Sequence, residues 1–220
     1  TRLVDLAFGI TPDDDHAHDF AAINAKLDTL EQLATATNAR LDDLRVQLAK
    51  ESAETQGAVF NARIGTPTAL IEAAYDGNVS TSLGYYLDPT ISAETKRRAA
   101  KDFVAAINPI AIQQAINEIH DTIVVAQGKS VLDTYADLLA LGLSKEQPVD
   151  VALAALEARF VQLVVAELQG LRVLTAYYQF AAMLDPSRAD IELANVPRTI
   201  AFNRPKLAAQ ASAYTAAVAR

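Results

Sequence analysis

The chain has 220 residues, 51% of them apolar, with 8 Gly, 8 Pro, no Cys and a formal net charge of −8. A chain of this size buries a sizeable core without disulfides, and it can form neither a thiolate metal site nor a cysteine nucleophile. The acidic balance argues against nucleic acid as a partner and against attachment to anionic lipid by charge alone.

The chain starts at Thr1 rather than Met, as a processed or trimmed product would, and no stretch reads as a signal peptide. Residues 1–9 read as a short apolar turn closed by Gly9. Thr11, Pro12 and Asp14 then supply an N-cap, a first-position proline and a capping box. In the helix that follows, Phe20, Ile23, Leu27, Leu30, Ala34, Thr37, Leu41, Leu44 and Leu48 recur at alternating steps of three and four. That is an a/d seam held over four heptads, with Lys26, Glu31, Arg40 and Arg45 on its flanks. Phe20, Ile23, Leu27, Leu30, Leu41, Leu44 and Leu48 are therefore candidate interface residues, within one chain or between two copies. The pattern predicts a long helix over about 12–64. A helix of roughly 45–50 residues there would measure about 70 Å at 1.5 Å per residue unless it breaks near Gly57.

Thr66-Pro67 repeats the cap-then-proline start, and a shorter helix runs from it towards Tyr75, where Asp76-Gly77-Asn78 stops it. Residues 80–91 read as a loop carrying Tyr85 and Tyr86. Ser92 opens another helix, with Phe103, Val104 and Ile107 on its apolar side. Asn108-Pro109 opens the next, in which Ile112, Ile116, Ile119 and Ile123 form a clean stripe, with Gly128 expected to end the helix. This weakly charged segment suits a core or, if released, a lipid surface, and core packing is the commoner outcome. Ser130 with Asp133 forms a capping box for a short helix to Leu141. Ser144 with Gln147 forms another, leading into the central helix.

That central helix, about 148–184, has one stripe through Leu153, Leu156, Phe160, Leu163, Val164, Leu168, Leu171, Leu174, Tyr178 and Ala182. Val161, Val165, Val173, Tyr177 and Phe180 lie off it. A helix apolar on several sides must be surrounded by others. Gly170 costs about 1 kcal/mol against Ala in mid-helix, so a close helix crossing is expected there. Glu167 and Arg172, five apart, fall on different faces, and each is expected to meet a partner on another helix. Asp185-Pro186 and Ser187 make a turn into a short helical piece. Pro197 and Pro205 are expected to break the chain before a last Ala-rich helix, Lys206–Ala219. These elements make one all-α domain over 1–220, an elongated bundle of about eight helices with two long helices around the apolar central one.

The densest group of ligand-type side chains is Asp13, Asp14, Asp15, His16, His18 and Asp19. Residues two apart point different ways on a helix, so this reads as an acidic helix start rather than a metal site. His120, beside an isoleucine stripe, reads as a hydrogen-bonded or surface residue. With no Gly-rich phosphate loop and no Ser-centred elbow, the chain is expected to be no enzyme, with no catalytic set, no metal and no cofactor.

Long helices around an apolar central helix resemble the helical domains of bacterial α-helical pore-forming toxins and the bundles of insecticidal proteins. The resemblance is one of architecture and carries over no functional residue. It implies a secreted protein that binds a target membrane, through lipid or a protein receptor, and forms homo-oligomers. On that reading Ile112, Ile116, Ile119 and Ile123 are candidate membrane-facing residues. A helical interaction and assembly module using the 20–48 seam is the alternative.

Overall fold

Five α-helices account for most of what the computed structural model describes. They are α1 (Ala53–Ala74), α2 (Ala93–Ala106), α3 (Pro109–Ile123), α4 (Val149–Leu184) and α5 (Ala189–Val218). The described residues are 53–219, less short stretches at 80–81, 83–84, 86–87, 89, 126–129, 134–135 and 138–148. Residues 131–133 and 136–137 are also helical, which makes about six helices among the described residues, where eight were expected over the whole chain. No strand occurs among them. The seam from Phe20 to Leu48, the Asp13–Asp19 cluster and the Ser144–Gln147 box lie outside the described residues.

The start signals at Ser92, Asn108 and Ser130 act as read. Ser92 accepts from the Thr95 amide at 3.2 Å. Asn108 accepts from the amides of Ile110 and Ala111 at 3.1 and 3.2 Å, with Pro109 in the first helical position. Ser130 and Asp133 bond each other's backbone amides reciprocally, each at 3.0 Å. Each cap satisfies donors that the first helical turn leaves open. α3 stops at Ile123, ahead of the Gly128 expected to end it.

Prolines are where the expectations fail. The start read at Thr66-Pro67 does not exist, because α1 runs unbroken through Pro67. The Thr68 hydroxyl donates to the carbonyls of Ile64 and Gly65, at 2.6 and 3.1 Å, within the turn that Pro67 disturbs. The separate Lys206–Ala219 helix does not exist either. α5 is one helix of 30 residues that carries both Pro197 and Pro205. Both prolines lie on its exposed side, where a carbonyl that loses its amide partner can turn to water. The opposite face, with Val196, Asn203, Leu207, Gln210 and Ala217, is buried. Packing along that face keeps the helix continuous.

α4 is the axis of the core. Its 36 residues span about 54 Å at 1.5 Å per residue, and α1, α2, α3 and α5 all pack on it. Leu156, Phe160, Leu163, Leu168, Leu171 and Leu174 on the stripe are buried, and so are Val161, Val165, Val173 and Phe180 off it. Leu153 is exposed at the N-terminal end. α2 runs antiparallel to α4, because Phe103 meets Phe180 edge-on at 5.2 Å while Arg97 donates to the Leu184 carbonyl at 3.3 Å. α5 also runs back along α4: Thr199 bonds Tyr178, and Tyr214 stacks on Phe160 with ring centroids 4.5 Å apart. In this fold Ile112, Ile116, Ile119 and Ile123 are all buried in the core, so they face protein and not solvent.

Candidate functional site

The chemistry of the described residues concentrates on one line, where α3 and α5 lie side by side against α4. α3 presents Gln113, Asn117 and His120, at steps of four and three. α5 presents Asn203, Lys206 and Gln210, at steps of three and four. Each triplet therefore forms a stripe along its own helix.

The two stripes pair in order. Gln113 and Asn203 exchange amide hydrogen bonds at 3.2 and 3.3 Å. Gln113 also donates to Asn117 at 3.1 Å, and Asn203 to the Thr199 carbonyl at 2.8 Å. Lys206 Nζ donates to Asn117 Oδ1 at 2.5 Å and sits 4.1 Å from the centre of the Phe202 ring. Gln210 Nε2 lies 3.2 Å from His120 Nδ1. The partners are offset by 90, 89 and 90 residues. A constant offset means that α3 and α5 run parallel, both antiparallel to the α4 helix between them in sequence.

Glu167 closes the inner end of this line. Its side chain lies on α4 beneath α5 and is 1% exposed, and Gln210, which is fully buried, donates to its Oε1. Burial pushes the Glu167 carboxyl up to about 8, against a smaller downward pull from the Gln210 hydrogen bond and Lys206. The group is therefore protonated at neutral pH. Either orientation of the Gln210 amide suits that form. As drawn, its nitrogen donates to a carboxyl oxygen; turned over, its oxygen accepts the carboxyl proton. As drawn, Gln210 Oε1 is buried without a hydrogen-bond partner among the described residues. His120 is shifted below its ordinary value by burial and then by Lys206, so its Nδ1 is free to accept from Gln210.

The expectation that Glu167 and Arg172 each find a partner on another element holds. Arg172 donates to the Tyr75 hydroxyl at 2.6 Å, with its guanidinium carbon 5.4 Å from the ring centre. His120 is hydrogen-bonded, as read. What the sequence reading missed is the set of amides and Lys206 that tie α3 to α5. Their signal was present as two matching three-and-four patterns of polar residues, but each pattern alone looks like a solvated face.

Elsewhere, an open cleft of about 330 Å³ lies beside α2, lined in part by Gly77, Ser82, Tyr85, Thr95, Arg98 and Phe103. Arg98 leans towards Glu94 at 3.7 Å with both side chains largely exposed, a pairing that contributes little. Among the described residues no three His, Cys, Asp or Glu side chains gather as metal ligands would. No described helix is long and apolar enough to cross a membrane.

Comparison of the chain with protein families, curated proteins and solved structures returns no match. The functional reading therefore rests on the bundle itself.

Proposed function

We propose that the chain is a non-enzymatic helical bundle that acts at a membrane, as the toxin resemblance implies, with α3 as the element that meets lipid. The observation that carries this reading is the two-sided character of α3. One side is the unbroken stripe Ile112, Ile116, Ile119 and Ile123, all buried. The neighbouring side is tied to α5 by the side-chain hydrogen bonds of Gln113, Asn117 and His120. Water can replace such bonds at small net cost, whereas an apolar stripe needs another apolar surface. A helix of this kind, once released, binds in the plane of the interface. The lack of any crossing helix among the described residues directs the proposal to surface binding, or to insertion as an assembly.

The test is dye leakage and co-sedimentation with vesicles of zwitterionic and mixed anionic lipid, at neutral and acidic pH. The chain has no cysteine, so a cysteine pair joining α3 to α4 gives a clean lock. Binding by the reduced protein and its loss on oxidation supports the reading. No binding by either form in any lipid overturns it.

A second reading, a helical interaction and assembly module, is favoured by the same lack of a crossing helix together with the Phe20–Leu48 seam. Light scattering over a concentration series tests it. Concentration-dependent dimers that dissociate on Leu27→Asp or Leu41→Asp support the module, and a monomer at all concentrations overturns it.

A further inference from the structure

Three features converge on the second half of α5. First, its inner face carries Gln210, the fully buried partner of the equally enclosed Glu167. Second, Pro205 stands just before that half. It has no amide hydrogen to give to the Ala201 carbonyl, so α5 has a built-in weak point there. Third, beyond Pro205 the polar attachment is made by Lys206 to Asn117 and by Gln210 to Glu167 and His120, beside an apolar seat of Leu207, Ala211, Ala213, Ala217 and Tyr214, the last stacked on Phe160.

We infer that the second half of α5 is a proton-held latch: the neutral Glu167 carboxyl allows Lys206–Val218 to close over α4, and loss of its proton to solvent lets that segment swing out about Pro205. A carboxylate at this position has to be hydrated, and α5 is the cover that stands between it and water. The charged and titratable groups that face it are His120 and Asp121 from α3 and Lys206 from α5. Lys206 favours the anion and Asp121 disfavours it, and both are weaker influences than burial. Among the described residues α1 and α2 bring no charge to act on it. Gln210 Oε1, without a partner among the described residues, would face the new negative charge if the amide turned over, so only one orientation of Gln210 remains usable after ionisation. Acid therefore tightens the latch and mild alkali loosens it. The device is independent of the membrane reading and stands or falls separately from it.

Hydrogen exchange of the intact chain tests this, corrected for the intrinsic effect of pH on exchange. Between about pH 6.5 and about pH 8, local opening of residues 206–218 should increase on the order of tenfold, because an exposed carboxyl is ionised throughout while the enclosed one is not. His120 is shifted down by burial, so its titration acts in the opposite sense and cannot produce an opening that increases with pH. α1 and the middle of α3 should not follow. In Glu167→Gln, which cannot ionise, the increase should vanish. Should this variant fail to fold, carboxyl carbon NMR of the wild-type chain decides the protonation. One glutamate with a midpoint well above the ordinary carboxylate range is expected. An unchanged opening of 206–218 in the wild type, an equal increase in Glu167→Gln, or ordinary midpoints for every glutamate would each overturn the latch.

Discussion

Ile116 fills the space into which a side chain at Gly170 would grow. A Cβ at position 170 would stand 2.8 Å from Ile116 Cγ1 and 3.2 Å from Ile71 Cδ1, so α1 and α3 both close on α4 where it carries no side chain. Alanine at 170 gains about 1 kcal/mol of helix propensity, but overpacking a tight core costs about 1–3 kcal/mol. Gly170→Ala should lose about 1 kcal/mol net, and Gly170→Val more. Ile116→Ala alone should cost about 2–5 kcal/mol. The double variant should lose less than the sum of the two. Urea unfolding of the four proteins measures the coupling, and simple additivity would show that the crossing is not tight.

The α3 stripe offers an internal contrast. Ile119 is wholly enclosed, whereas Ile110 on the same helix is 69% exposed. Truncating Ile119 to Ala should cost about 2–5 kcal/mol through lost burial and the cavity left behind. Ile110→Ala should stay within about 0.5 kcal/mol of wild type. Equal losses for the two would mean that α3 is not seated as described.

Global stability should depend on pH through two opposed groups. Glu167 is held up at about 8 against 4.5 for a free glutamate, so the folded chain keeps a proton that the unfolded chain releases. Its contribution is largest below the ordinary carboxylate value and declines as pH rises towards 8. His120 is shifted down, so its contribution is complete above the ordinary histidine value and is lost as pH falls. The carboxyl has the larger shift. Stability from denaturant unfolding should therefore fall by about 3 kcal/mol between about pH 5 and about pH 8. In Glu167→Gln this decline should be replaced by a shallow rise from His120. A wild-type stability that climbs steadily with pH contradicts this assignment.

Pro197 tests why α5 stays whole. It is exposed within the helix and has no amide hydrogen for the Leu193 carbonyl. Pro197→Ala should restore that bond and raise stability by about 1–3 kcal/mol. A loss of stability would mean that α5 needs the bend to follow α4.

What the sequence revealed, and what it hid, divides along local and non-local lines. Caps such as Asn108-Pro109 and Ser130 with Asp133 involve neighbours in the chain, so the residues themselves disclose them. α4 announces its central place because its apolar residues exceed any single face. Gly170 marks its crossing because nothing local rewards a glycine there. The prolines mislead for the converse reason: the local rule predicts a break, while the buried faces of α1 and α5 hold each helix together across it. Gln113, Asn117, Asn203, Lys206 and Gln210 stayed hidden because a buried amide pair and a solvated polar face have the same composition. Glu167 could be expected to have a partner, but nothing near it in the chain points to Gln210, 43 residues away.

The near-constant offset of about 90 residues between α3 and its partners on α5 also bears on the order of folding. Two neighbours that point the same way cannot be joined by a tight hairpin; the whole of α4 must be threaded between them. Closing so long a loop is entropically costly until the surfaces it brings together exist. The α3–α5 pairing is therefore expected to follow the packing of α4 against one or both of its sequence neighbours, which brings the two stripes together without closing the long loop from scratch.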